Sequence, residues 1–141
     1  MSTAALITWI ITAGFGFYML SVWLRNGGHR TGSHFAPPMV FGHFLLAAGG
    51  LVVWIVYVIV DSSPLAWIAF VDLLVVATLG DLLVLRWYRD RKVVSHTVGS
   101  MSASGGLAEQ QIPSGVVALH GIFAVTTVVL VLLSALEVGG S

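Results

Sequence analysis

Two histidines sit inside long apolar runs. One is His43, in MVFGHFLLA (Met39 to Ala47); the other is His120, in GVVALHGIFA (Gly115 to Ala124). An imidazole in such surroundings can ligate a metal through a neutral ring nitrogen, move a proton, or hydrogen-bond a neighbouring helix. Four and seven positions past His43 come Ala47 and Gly50; four and seven past His120 come Ala124 and Thr127. At helical spacing these residues share a face with the histidine. Small side chains there make room for a planar group between the two rings, and they equally let bare helices pack closely.

Two carboxyl groups lie in the same kind of surroundings. Asp81 is expected at the depth of the histidines. It can accept a ring N–H from His43 or His120, which would fix the tautomer and raise ligand basicity. It can instead pair with Arg86 or Arg89, since charges in spans usually pair. A His-His-Asp metal site needs closer convergence than diagonal helices give. Asp72 lies deeper and is either protonated or faced by Thr8, Thr12 or Tyr57.

The elements that must position these groups follow from composition. The chain has 141 residues, 57% of them hydrophobic and 9% charged, against about 45–50% and about 25% in soluble domains. This is the composition of a membrane protein with a single domain, 1–141. Cysteine is absent, which excludes disulfides, thiolate metal sites and thioether-linked haem. Formal net charge is zero, and nothing points to nucleic acid.

Four apolar segments are expected to span, at about 4–24, 39–60, 65–85 and 116–136. Each matches the ~20 residues of helix that cross a ~30 Å bilayer core. Lipid satisfies no free backbone group, so each must be helical. The first has no basic residue before it and no small-residue cleavage site after it, so it reads as a retained span. All six Lys and Arg follow the first or third span, which puts both long loops on the cytoplasmic side and both termini outside. Trp9, Tyr57 and Trp67 at one end, and Trp23, Trp87 and Tyr88 at the other, suit interfacial belts. The loop from about 93 to 112 is rich in Ser and Gly and reads as flexible.

The two halves resemble each other. GFYMLSVWLR (Gly16 to Arg25) aligns with GDLLVLRWYR (Gly80 to Arg89), pairing Gly16 with Gly80, Trp23 with Trp87 and Arg25 with Arg89. VFGHFLLA (Val40 to Ala47) aligns with VALHGIFA (Val117 to Ala124), pairing His43 with His120. The expected fold is therefore an all-α integral membrane four-helix bundle, a pseudo-twofold repeat of two helix pairs. Each histidine then lies about six residues, or ~9 Å, into its helix. Spans two and four are diagonal, with axes roughly 13 Å apart if neighbours are ~9 Å apart.

With four spans and one histidine on each of two helices, the chain resembles the small four-helix bis-histidine membrane b-type cytochromes and the haem-bearing membrane anchors of respiratory enzymes. The resemblance implies one haem b with His43 and His120 as axial metal ligands in an apolar pocket. There is no second intramembrane histidine pair, as many such proteins carry for a second haem. The resemblance further implies electron exchange with quinone or a larger respiratory complex. On that reading Arg25 and Arg89 are candidate propionate partners, since guanidinium binds carboxylate in a fork. Their topological role needs no cofactor. His29, His34 and His96 read as solvated loop residues, with contact to a quinone head group or a propionate as the alternative for the first two.

Two other readings stay open. One is a cofactor-free accessory or assembly subunit whose histidines tie helices together; association as a homo-oligomer is open on any reading. The other is a small proton-coupled transporter using Asp72, Asp81 and the histidines. A haem predicts colour, an accessory subunit predicts none, and a transporter predicts a polar cavity linking the carboxylates.

Overall fold

The computed structural model describes residues 1–30, 33–97 and 107–137, those from 93 to 97 by their backbone alone. It contains α1 (Ser2–Arg25), α2 (Pro37–Val60), α3 (Ser63–Thr97), a 3₁₀ turn η1 (Ala108–Gln111) and α4 (Ser114–Ala135). All four α-helices are long and apolar enough to cross a membrane, as in an integral membrane protein. Large apolar side chains stand exposed on every one of them, Ile10, Leu45, Val71 and Val125 among them. A soluble helix would bury such residues along one stripe.

Local chemistry sets the helix ends. Pro37 and Pro38 open α2 after an extended Ala36. Proline suits the first turn, where its missing N–H has no partner to lose, and it holds the residue before it extended. Asp61 ends α2 in the left-handed region at φ 52°. The following two-residue connection sets α2 and α3 antiparallel. α3 runs past the expected end of its span to Thr97. The segment expected to be flexible contains η1, whose Ala108 and Glu109 are fully buried. Its central stretch, 98–106, lies outside the described residues.

α1 lies mostly against α4 and α2 mostly against α3; of the adjacent pairs, α1 and α2 touch least. Among the described residues the diagonal pairs α1/α3 and α2/α4 make no backbone contact, so the helices pack in chain order around the bundle.

Two apolar cores occupy its ends. At the terminal end Trp9, Trp54, Leu73 and Val131 pack among Ala5, Ala66, Ala69 and Ala135. The alanines let the backbones approach and the tryptophans fill the space left. At the loop end Trp23, Phe35, Ala108 and Ile112 form the second core. The aromatic belts are thus thinner than expected. Trp9, Trp23 and Tyr57 are core residues, while Trp67 and Tyr88 remain exposed. The large indoles bury more area against helix neighbours than an interface offers.

Candidate functional site

His43 and His120 lie between the two cores. Each stands six residues past the first residue of its helix, Pro37 or Ser114. Their ring centres are 6.4 Å apart with planes inclined at 60°. The rings therefore meet across the diagonal that their backbones do not bridge.

Each ring is anchored to the helix beside it. His43 Nδ1 lies 2.9 Å from the Val76 carbonyl of α3. His120 Nδ1 lies 3.0 Å from the Thr12 carbonyl of α1. A carbonyl only accepts, so Nδ1 carries the proton and donates. In the neutral ring this leaves Nε2 as the lone-pair nitrogen.

The two acceptors have a common cause. Val76 stands four residues before Gly80, and Thr12 four before Gly16. Helical side chains lean toward the N-terminus, so the residue at i+4 normally shields the carbonyl of residue i. Glycine leaves that carbonyl open. A Cβ built on Gly80 would stand 3.1 Å from His43 Cε1, and one on Gly16 would stand 3.3 Å from His120 Cε1. Both glycines are notches into which the rings fit.

A cavity of about 280 Å³ surrounds the pair. Its walls include both histidines, both glycine notches and Ala47, with Trp23, Phe35, Trp87 and Ile112 toward the loop end. The lining is overwhelmingly aliphatic and aromatic.

The other candidate residues fall elsewhere. Gly50 is buried against Asp72 and Trp9, and a Cβ there would collide with the Asp72 carboxylate. Its missing side chain makes room for a carboxyl group and not for a planar ligand. Thr127 is buried; its hydroxyl lies 3.0 Å from Thr8 Oγ1, 3.5 Å from Thr12 Oγ1 and 2.7 Å from the Phe123 carbonyl. It ties α4 to α1. Ala124 is half-buried and outside the cavity walls. Asp81 is exposed, and the ring N–H groups go to backbone carbonyls instead. Arg25 and Arg89 are exposed and line no part of the cavity. Asp72 keeps one carboxyl oxygen buried without a hydrogen bond. Thr8 and Thr12 bond to the α1 backbone and approach Thr127 rather than Asp72. His29 is exposed; the His96 side chain lies outside those described.

Reading the sequence missed the Val76 and Thr12 carbonyls as anchors and the two tryptophans as cavity walls. The pairing of Gly16 with Gly80 was the available signal for the anchors, because each twin glycine implies an open carbonyl four residues earlier. Comparison of the chain with known protein families, curated proteins and solved structures finds no match.

Proposed function

We propose that the chain is a membrane electron-transfer protein that holds one b-type haem between His43 and His120. The observation that carries this reading is the histidine pair itself. Two metal–imidazole bonds of ~2.0 Å, with about 1.1 Å from each nitrogen to its ring centre, give about 6.2 Å between ring centres. The ring centres are 6.4 Å apart, which matches that span where both Nε2 atoms turn toward a common point between the rings. Each ring also has its Nδ1–H committed to a carbonyl, which supports Nε2 as the ligating atom.

The residues fit such a group in three further respects. The cavity beside the rings is apolar, as a b-type pocket requires. The absence of cysteine is compatible with non-covalent attachment. Gly16 and Gly80 seat the imidazoles against neighbouring helices, so the ligands are oriented before anything binds. When bound, the haem would supply one-electron chemistry between ferric and ferrous iron. The protein's part is to hold both imidazoles in one tautomer and to keep water out with Trp23, Phe35, Trp87 and Ile112. Quinone or a respiratory complex is the class of electron partner that suits an intramembrane site.

The matched anchors also favour the proposed repeat. His43 rests on Gly80 and Val76, and His120 rests on Gly16 and Thr12, the matching pairs of contacts that a pseudo-twofold axis along the bundle would produce. The distribution of basic residues favours cytoplasmic loops and outward termini.

One observation favours a second reading. Each histidine already joins two helices, α2 to α3 and α4 to α1, which a cofactor-free accessory subunit would also need. An optical spectrum separates the two. The purified, reduced chain should show the sharp visible bands of a six-coordinate low-spin b-type haem, and His43→Ala or His120→Ala should each abolish them. A colourless protein that takes up no added hemin would overturn the proposal and leave the histidines as helix ties.

A further inference from the structure

A second cluster of ligand-type side chains lies at the loop end, outside the histidine cavity. His34 comes from the α1–α2 loop, Asp90 from α3 and Glu109 from η1. One ligand atom from each lies within 4.8 Å of the other two. His34 Nδ1 and Asp90 Oδ2 are 3.3 Å apart. Two ligand atoms on one tetrahedral zinc, each at ~2.0 Å, stand ~3.3 Å apart.

Glu109 is fully buried. Its carboxylate receives the Ser33 hydroxyl at 2.6 Å and the His34 backbone N–H at 2.8 Å, both neutral donors. Asp90 brings a second carboxyl group to the same spot, with an oxygen within 4.8 Å of one on Glu109. Asp90 Oδ2 is itself buried and receives no well-oriented hydrogen bond. The arrangement offers one imidazole nitrogen and two carboxyl groups. A divalent cation bound among them would satisfy the orphaned Asp90 oxygen.

We infer that His34, Asp90 and Glu109 form a binding site for a zinc-type divalent cation, with a water in the fourth position. One imidazole and two carboxylates suit zinc, whereas magnesium prefers an octahedral shell of oxygens. The site would do structural work. His34 is next to Ser33, whose hydroxyl accepts Trp23 Nε1–H at 2.9 Å. The Glu109 carbonyl accepts Trp87 Nε1–H at 3.0 Å. A cation joining these three segments would fasten both tryptophan walls of the histidine cavity from one point.

The test uses the full chain in detergent, stripped with EDTA and titrated calorimetrically with zinc chloride and, separately, magnesium chloride. One zinc should bind per chain and magnesium should not. His34→Ala and Asp90→Asn should each weaken zinc binding at least ~10-fold, a typical cost of disturbing a metal site. His29→Ala, an exposed loop change, should not. Zinc should raise the melting temperature of the native chain and leave that of Asp90→Asn unmoved. Absence of saturable zinc binding overturns the inference. So does binding that survives both substitutions, or that His43→Ala removes instead, because the metal then sits elsewhere. Equal destabilisation by Asp90→Asn with and without zinc would reduce the cluster to a His34–Asp90 ion pair and overturn it too. None of these outcomes depends on a haem.

Discussion

Gly80 offers the sharpest test of the histidine anchor. A Cβ at this position would stand 3.1 Å from His43 Cε1, inside ordinary van der Waals contact of about 3.5–4.0 Å. The ring must retreat by about 0.5 Å even for alanine. The Nδ1–carbonyl distance is 2.9 Å, so that retreat takes it past the ~3.2 Å upper end of good geometry. An interhelical hydrogen bond in a membrane is worth ~0.6 kcal/mol on average and at most ~1.7. Overpacking adds ~1–3 kcal/mol. Gly80→Val, which adds two more methyl groups against the ring, should therefore destabilise the chain by about 2–4 kcal/mol. Gly16→Val should act likewise but somewhat less, since its Cβ would clear His120 Cε1 by 3.3 Å. Gly14→Ala is the control. Nothing lies within 4 Å of a Cβ there, and alanine gains about 1 kcal/mol of helix propensity. Denaturant titration in mixed micelles reads the stabilities. On the proposed haem reading, Gly80→Val should also shift or abolish the low-spin bands. If Gly80→Val melts like Gly14→Ala, the ring does not sit in the glycine notch and the account of its tautomer fails.

Three further outcomes are expected. The chain has no cysteine, so single cysteines at Asn26 and Ser63 should label from opposite faces of the membrane, Asn26 from the cytoplasmic face; labelling from one face would refute the topology. Gly50→Ala should destabilise through its collision with the Asp72 carboxylate, and the double change with Asp72→Ala should recover much of the loss; an additive double-mutant cycle would show that the two do not touch. Thr127→Val keeps the shape but removes the hydroxyl contact to Thr8, which should cost ~0.6 kcal/mol by SDS titration; no measurable change would mean that the hydroxyls do not pair across α1 and α4.

The sequence by itself determined the class, the number of helices and their order, because hydropathy and length decide these without reference to neighbours. It also placed His43 and His120 at equal distances from the starts of their helices. Depth follows from counting residues along a helix of fixed rise, and the twin prolines and apolar starts fix where the counting begins. Gly16 and Gly80 were legible as twins, though not as notches.

Which way each helix turns its faces was decided only by packing. The spans are apolar on almost every side, so no amphipathic stripe marks an inward face as it would in water. Hence Asp81, placed by depth beside the histidines, turns outward, and the ring N–H groups find carbonyls that any sequence would carry. Hence too Gly50 serves Asp72 and Thr127 serves Thr8, although both share the histidine register. Trp9 goes inside because Gly50 on α2 leaves room for it, and Trp23 because Gly28 in the turn after α1 does the same. Glu109 was the least legible of all. It lies in a Ser- and Gly-rich stretch with no periodicity, and its burial depends on Ser33, His34 and the two tryptophans arriving from three other segments of the chain.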